Sequence, residues 1–182
     1  MIAWLGWLTG GLLLGGIVHL STVLLLPMTA SRDAYTRLAP VTEVNRITLL
    51  PQPAPGTLLP YLDPSFATAV CRYDLTAAPL KLQVMVTQAY TSVSFYTPRG
   101  YAFYAINDRA GRRSIELDLM NAQQRGQVQE DEDVTAADRL IVESPSDQGL
   151  IVLRALAPEP SMMPLARGIL GAAQCRPQPQ QP

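Results

Sequence analysis

The sequence predicts a mainly β fold, an antiparallel sandwich or jelly-roll-like sheet, with one N-terminal transmembrane helix and a short C-terminal helix. Three observations lead there. Residues 1–27 contain no Lys, Arg, Asp or Glu. Beyond residue 63, short runs rich in β-branched and aromatic residues recur between turn signals at intervals of about ten residues, the spacing of an all-β sandwich rather than of βαβ units. After the last of these runs, residues 164–175 read as a short helix. Four segments follow: an anchor over 1–27, a proline-rich juxtamembrane linker over 28–62, a β-rich domain over 63–176 and a tail over 177–182.

The first stretch, as a helix over residues 2–26, is roughly 37 Å long at ~1.5 Å per residue, enough for a hydrocarbon core of ~30 Å. A cleaved signal peptide would carry a basic n-region and a shorter apolar core. Here only the α-amino group precedes the run, and Met28-Thr29-Ala30 is a poor cleavage site. A core helix of a soluble domain would show a polar stripe, which Gly, Thr, Ser and one His do not make. Steps of three and four residues bring Gly11, Gly15, His19 and Thr22 near one face, with Trp4 and Leu8 in line and Gly6 and Gly10 close by. Small residues allow close backbone approach in lipid and His19 adds a hydrogen-bonding group, so this face is expected to pair with another helix. An ionisable group in a span is a functional candidate by default. As a haem ligand, however, His19 would be one axial ligand with no second candidate in the span, and no cofactor is expected.

The remaining length, about 150 residues, suits one ordinary domain with a real core. All charged side chains lie after residue 31 and sum to −1, which offers no basic surface for nucleic acid. Lys81 is the only lysine among 14 basic residues, a bias of GC-rich codons that suggests a bacterium. Orientation rests on opposed signals. Arg32, Arg37 and Arg46 follow the anchor and would favour the cytoplasmic side, although Asp33 and Glu43 are interspersed. Cys71 and Cys175, an even pair without CxxC or Cys/His spacing, favour a disulfide in an oxidising periplasm over two reduced, buried thiols. The expected address is therefore the inner membrane, single-pass, with the domain on the periplasmic side.

In chain order, residues 31–38 extend the membrane helix or form a short helix capped by Ser31, and Pro40 ends it. Residues 41–62, with Pro51, Pro53, Pro55, Gly56 and Pro60, read as an extended linker with at most an edge strand around Ile47-Thr48-Leu49. The domain opens with a helical turn at Asp63-Pro64-Ser65-Phe66-Ala67. Strands are expected over residues 70–75, 80–87, 89–96, 102–107, 114–120, 140–143 and 150–156; period-two alternation is clearest in 80–86 and 90–96. Pro98-Arg99-Gly100 makes a hairpin turn, and Asn107-Asp108-Arg109-Ala110-Gly111 another. Residues 136–139 form a short helix after an acidic run, and 177–182 a disordered tail.

The succession Asp63-Pro64, Tyr73-Asp74-Leu75, Pro79-Leu80, Tyr90-x-Ser92-Val93-x-Phe95-Tyr96, Gly100-x-x-Phe103 and Asn107-Asp108-Arg109 resembles the bacterial "domain of unknown function twelve fifty-four" family, especially its short, membrane-anchored alphaproteobacterial members. The resemblance covers most of residues 1–176 and is most specific from Tyr73 to Arg109. It implies a β-rich envelope domain of unassigned activity, often associated with a second domain, "twelve fourteen", for which this chain has no room. That second domain, if needed, would come from another protein. The family offers no catalytic residues to carry over.

No reaction is legible. The acidic run at residues 129–133 lacks the alternating ligands and turn glycine of a calcium loop, and no metal site is expected. Arg109, Arg112 and Arg113 cluster in a turn and read as ordinary surface charge rather than as an anion site. Ser92, Ser94, Ser144 and Ser146 lie outside any GxSxG elbow, and with the sole histidine in the apolar helix a Ser-His-Asp or Cys-His mechanism has no base in the domain. The rings of Tyr90, Phe95, Tyr96, Tyr101, Phe103 and Tyr104 are more than one core can absorb. Plain packing is the more frequent fate of inward rings; where one side of the hairpin stays open, Tyr90, Tyr96, Tyr101 and Tyr104 with Arg109 are the candidate ligand or partner face. The expected function is non-enzymatic: the anchor contacts the lipid bilayer, and the domain binds another membrane or periplasmic protein, or a second copy. The alternative is a ligand-binding or hydrolytic domain using the aromatic hairpin, residues 90–104, with Asp74 or Asp108.

Overall fold

The computed structural model describes residues 2–29, 33–57, 59, 61–110, 113–127 and 140–178. Outside the described residues lie Ala30 of the cleavage motif, Ser31 as a helix cap, Pro60, Gly111 and Arg112, the acidic run, the short helix expected over 136–139, and residues 179–182. The chain divides into two compact units, the first ending at Asp33 and the second beginning at Ala34.

The first unit is a single helix, α1 (Ile2–Thr29). Its stretch Trp4–Leu26 is long and apolar enough to cross a membrane, a criterion that a signal sequence near an N-terminus also meets. The hydroxyls of Thr9 and Thr22 donate back to the carbonyls of Leu5 and Gly6 and of Val18 and His19, so these two side chains are satisfied within the helix.

The second unit is a β-sandwich. Its strands are β1 (Ile47–Leu49), β2 (Phe66–Asp74), β3 (Leu80–Met85), β4 (Thr91–Tyr96), β5 (Ala102–Asn107), β6 (Ser114–Asn121), β7 (Leu140–Ser144), β8 (Gln148–Leu156) and β9 (Gln174–Pro177); its helices are α2 (Ala34–Leu38), α3 (Ala122–Gly126) and α4 (Met163–Gly171). A five-stranded sheet in the order β1-β2-β8-β4-β5 faces a four-stranded sheet in the order β7-β6-β3-β9. Alternation dictates the facing surfaces. Ala67, Ala69, Cys71 and Tyr73 of β2, Ile151, Leu153 and Ala155 of β8, and Val93 and Phe95 of β4 meet Leu80, Leu82 and Val84 of β3 and Ile115, Leu117 and Leu119 of β6 in one core. Cys71 and Cys175 are joined by a disulfide that ties β2 of one sheet to β9 of the other within this core.

Four expectations change. All pairings are antiparallel except β6 with β7, which run parallel, so the smaller sheet is mixed. The turn after Asn107 is not a hairpin: β5 and β6 lie in different sheets, and a 3-10 turn, Asp108–Ala110, carries the chain between them. Phe66 and Ala67 begin β2 instead of a helical turn, because their backbone pairs with Leu156 and Ala155. The helix expected over 164–175 stops at Gly171, and Gln174–Pro177 is drawn into a strand by pairing with β3.

The segment expected to be a free linker belongs, from Ala34 onward, to the compact unit. It covers the outer face of the larger sheet, where Leu38 and Leu50 bury against Val70 and Leu150, with Tyr35, Leu59, Leu62, Tyr96 and Val152 packed around them. Arg72, 9% exposed on that face, lies beneath the Tyr35 ring at 4.7 Å and donates to the Thr42 carbonyl at 3.2 Å. Asn45 locks the segment down. Its left-handed backbone (φ 57°) points the side chain at Asp74, whose N–H it accepts at 2.8 Å and whose carbonyl it bonds at 3.1 Å. Asn is among the few side chains that occupy this region readily. Apolar spacing alone did not reveal this packing, since the prolines break every period.

Candidate partner-binding face

The hairpin of β4 and β5 is closed by a turn in which Gly100 (φ 87°) supplies the left-handed residue. Its N–H bonds the Thr97 carbonyl, and the Thr97 N–H bonds that of Tyr101, both at 2.9 Å. A register shift between Phe95 and Tyr96 then spreads the rings over different surfaces. Phe95 is fully buried, and the rings of Phe103 and Tyr104 tilt against it at 6.1 and 5.7 Å. Tyr96 joins the outer cluster beside Leu150. Tyr90 stands edge-on to Phe66 at 6.3 Å. Tyr101, 66% exposed, and Arg109, also exposed, remain outside, at opposite ends of β5. Of the five residues expected at one face, Tyr104 packs on the inner core and Tyr96 on the outer cluster, Tyr90 meets Phe66, and Tyr101 and Arg109 stay outside.

The two carboxylates considered with this hairpin, Asp74 and Asp108, lie toward opposite ends of the larger sheet. Asp108 adjoins Asn107, which pairs with Ser92, whereas Asp74 pairs with Gln148 at the other end of the sheet. Ser92 faces Arg154, which faces Thr68, six residues along β2 from Asp74. At ~3.3 Å per residue the two carboxylates are separated by about 20 Å along the strand direction. Burial would raise the Asp74 carboxyl, but hydrogen bonds from the Thr76 hydroxyl and N–H and from Gln148 outweigh it and hold it below the usual carboxylate range. It is a turn-capping carboxylate, already satisfied.

The polar cluster that sequence reasoning missed is internal. Tyr73, fully buried, shares a 2.9 Å hydrogen bond with Ser144, whose hydroxyl also donates to the Ser146 carbonyl at 2.6 Å. Burial pushes the Tyr73 phenol up, against a smaller opposing effect of its serine partners. It stays protonated, and among the described residues the hydrogen-bond partners of the Ser144 hydroxyl are the Tyr73 phenol and the Ser146 backbone. The pairing of β2 with β8 sets Tyr73 opposite Gly149, a residue just before the strand expected over 150–156 and inside the strand observed.

On α1, Gly11, Gly15, His19 and Thr22 fall within about 80° of arc at ~100° per residue. An added Cβ at Gly11 or Gly15 would meet nothing within 4 Å. A second open feature lies along residues 39–49, a shallow groove of about 730 Å³ whose rim carries the Glu43–Arg46 ion pair.

A family model described as a protein of unknown function, DUF1254, matches residues 44–177. The chain belongs to the DUF1254 family. The matched span runs from Val44, which bridges to Arg72, to the end of β9, so it coincides with the sandwich and its first edge strand. A search of curated proteins finds no match. Among solved structures, the DUF1254 chain is similar to the VPA0106 protein from Vibrio parahaemolyticus, with TM-score 0.58 and 15% identity over 81% of this chain and 36% of that one. It also matches an uncharacterised protein from Burkholderia cenocepacia, with TM-score 0.46 and 12% identity over 67% of this chain and 33% of that one. The chain therefore spans about a third of the length of these structures. The first likeness concerns the fold alone.

Proposed function

We propose that this DUF1254 protein is a single-pass inner-membrane protein whose β-domain lies in the periplasm and serves, without chemistry of its own, as a docking module for another envelope protein. The carrying observation is the pairing of an uncharged helix of membrane-spanning length with a domain whose two sheets are tied by a buried disulfide. Such bonds persist in oxidising compartments and are rare in the cytosol. The reading without chemistry of its own is supported by the chain's one histidine, His19, which lies in α1 and outside the domain. The Gly11, Gly15, His19 and Thr22 face of α1 is the site for helix pairing within the bilayer.

A reporter that is active only outside the cytoplasm, fused after Pro182, tests the orientation. The fusion is expected to be active, and the protein to stay with membranes after alkaline carbonate extraction with residues 1–30 retained. A mature N-terminus beyond Ala30, or recovery in the soluble fraction, would refute the anchor. Crosslinking in native membranes is expected to give one discrete heteromeric adduct; monomer alone would refute the docking role.

A further inference from the structure

The two sheets end in four edge strands, β1, β5, β7 and β9, and three of them carry the devices that keep an edge from pairing with a foreign strand. β1 has three residues and is followed by Pro51 and Pro53; β9 contains Arg176 and Pro177; β7 contains Glu143 and is followed by Pro145. Short length, charge and proline all blunt an edge. β5 has none of them: its six residues, Ala-Phe-Tyr-Ala-Ile-Asn, include no charge and no proline. One side of β5 pairs with β4, and among the described residues no strand pairs with the other. The register shift of the hairpin falls near its turn, so residues 104–107 present a regular ladder. An uncharged, regular edge of this length is a template for another strand, and a protein that leaves it so either aggregates or fills it.

The flanking charge says what fills it. Arg99 precedes β5 and Arg109 follows it; both are exposed, and among the described residues neither is in an ion pair. Asp108 adjoins Arg109, and among the described residues its Oδ1 is buried and without a hydrogen bond. A second copy of this chain added antiparallel through β5 would bring Arg99 of one molecule toward Arg109 of the other, a like-charge contact that opposes self-pairing. Resting on the docking role proposed above, we infer that the partner is a different polypeptide that adds an extended strand to β5, with acidic residues at both ends of that strand. Main-chain hydrogen bonds supply the affinity, and the arginines at the two ends set the specificity. Tyr101, exposed at the start of β5, offers the partner an amphipathic ring.

The test uses the full chain in non-ionic detergent and two synthetic extended peptides of alternating threonine and valine, one with glutamates at both ends and one with lysines. Amide hydrogen exchange is followed at all four edges, and peptide affinity by fluorescence anisotropy. The acidic peptide is expected to slow exchange at 102–107 and not at β1, β7 or β9. Binding should weaken about tenfold or more with the lysine-ended peptide and in the Ala105→Lys variant, and persist in Ala105→Ser. Equal binding of both peptides, protection at another edge, or protection of 102–107 that grows with protein concentration in the absence of peptide would overturn the inference; the last would assign the edge to a second copy. A crosslinked partner that survives Ala105→Lys in membranes would overturn the edge assignment and leave the docking role standing. Acidic-peptide binding at β5 with no partner in membranes would do the reverse.

Discussion

Gly149→Ala probes the packing near one end of the β2–β8 ladder. Gly149 lies opposite Tyr73 in the β2–β8 register, and a Cβ built on it would stand 2.3 Å from the Tyr73 hydroxyl oxygen and 2.3 Å from the Tyr96 carbonyl oxygen. Both contacts are far inside van der Waals separation, and they differ in kind. The Tyr96 carbonyl belongs to a strand paired with β8 and cannot retreat without distorting that ladder. The Tyr73 phenol could swing away only by abandoning its bond to Ser144. Overpacking of a core costs about 1–3 kcal/mol and a lost hydrogen bond about 1 kcal/mol, so Gly149→Ala is expected to destabilise the domain by roughly 2–4 kcal/mol. Urea unfolding followed by tyrosine fluorescence measures this through the shift in midpoint at constant slope. In Tyr73→Phe the hydroxyl contact and its bond to Ser144 disappear while the ring Cζ contact at 2.5 Å and the carbonyl contact stay, so adding Gly149→Ala to that background should cost about 1 kcal/mol less than in the wild type, the hydrogen bond being already absent. A cost below about 0.5 kcal/mol for Gly149→Ala, or strict additivity with Tyr73→Phe, would refute the packing argument.

Three other perturbations read other parts of the fold. Replacing both Cys71 and Cys175 by alanine opens a closure of 104 residues and is expected to lower stability by about 2–5 kcal/mol, the chain-entropy ceiling being ~4.7 kcal/mol; equilibrium unfolding with and without reductant measures it, reductant having no effect on the double variant. Asn45→Ala removes both side-chain bonds to the Asp74 backbone and leaves a left-handed alanine, for an expected loss of about 2 kcal/mol, with exchange of residues 34–50 accelerating before that of β8. The pH profile carries two signs. Asp74, held low in the folded state, contributes stability above the usual carboxylate range that is lost as pH falls through its folded value; Asp74→Asn should flatten the acid limb of an unfolding titration, by a small amount because the group is largely exposed to solvent. Tyr73, pushed up by burial, contributes stability that is complete below about pH 10 and is lost as pH rises toward its folded value; Tyr73→Phe should flatten the alkaline limb.

The candidate site was less legible in the sequence than the fold, for a physical reason visible in single residues. Period-two alternation says which side chains share a face, and Leu80, Leu82 and Val84 do line the core, as do Val93 and Phe95. It is silent on which strand lies alongside. Tyr90, Tyr96, Tyr101 and Tyr104 are close in sequence, yet the register shift at Phe95/Tyr96 and the division between two cores disperse them. The unguarded edge of β5 was hidden for the same reason: an edge exists only once every pairing has been made.

From the residues alone come the uncharged run of α1, the strand segments and the Pro98-Arg99-Gly100 turn, because apolarity, alternation and backbone preference are properties of neighbours in the chain. The tertiary structure alone decides that β8 lies between β2 and β4, that β7 runs parallel to β6, that Gln174–Pro177 is a strand, and that the proline-rich segment from Ala34 packs on the domain. Each of these depends on contacts between residues far apart in the sequence, such as Gly149 with Tyr73 and Asn45 with Asp74, whose energies no local window contains.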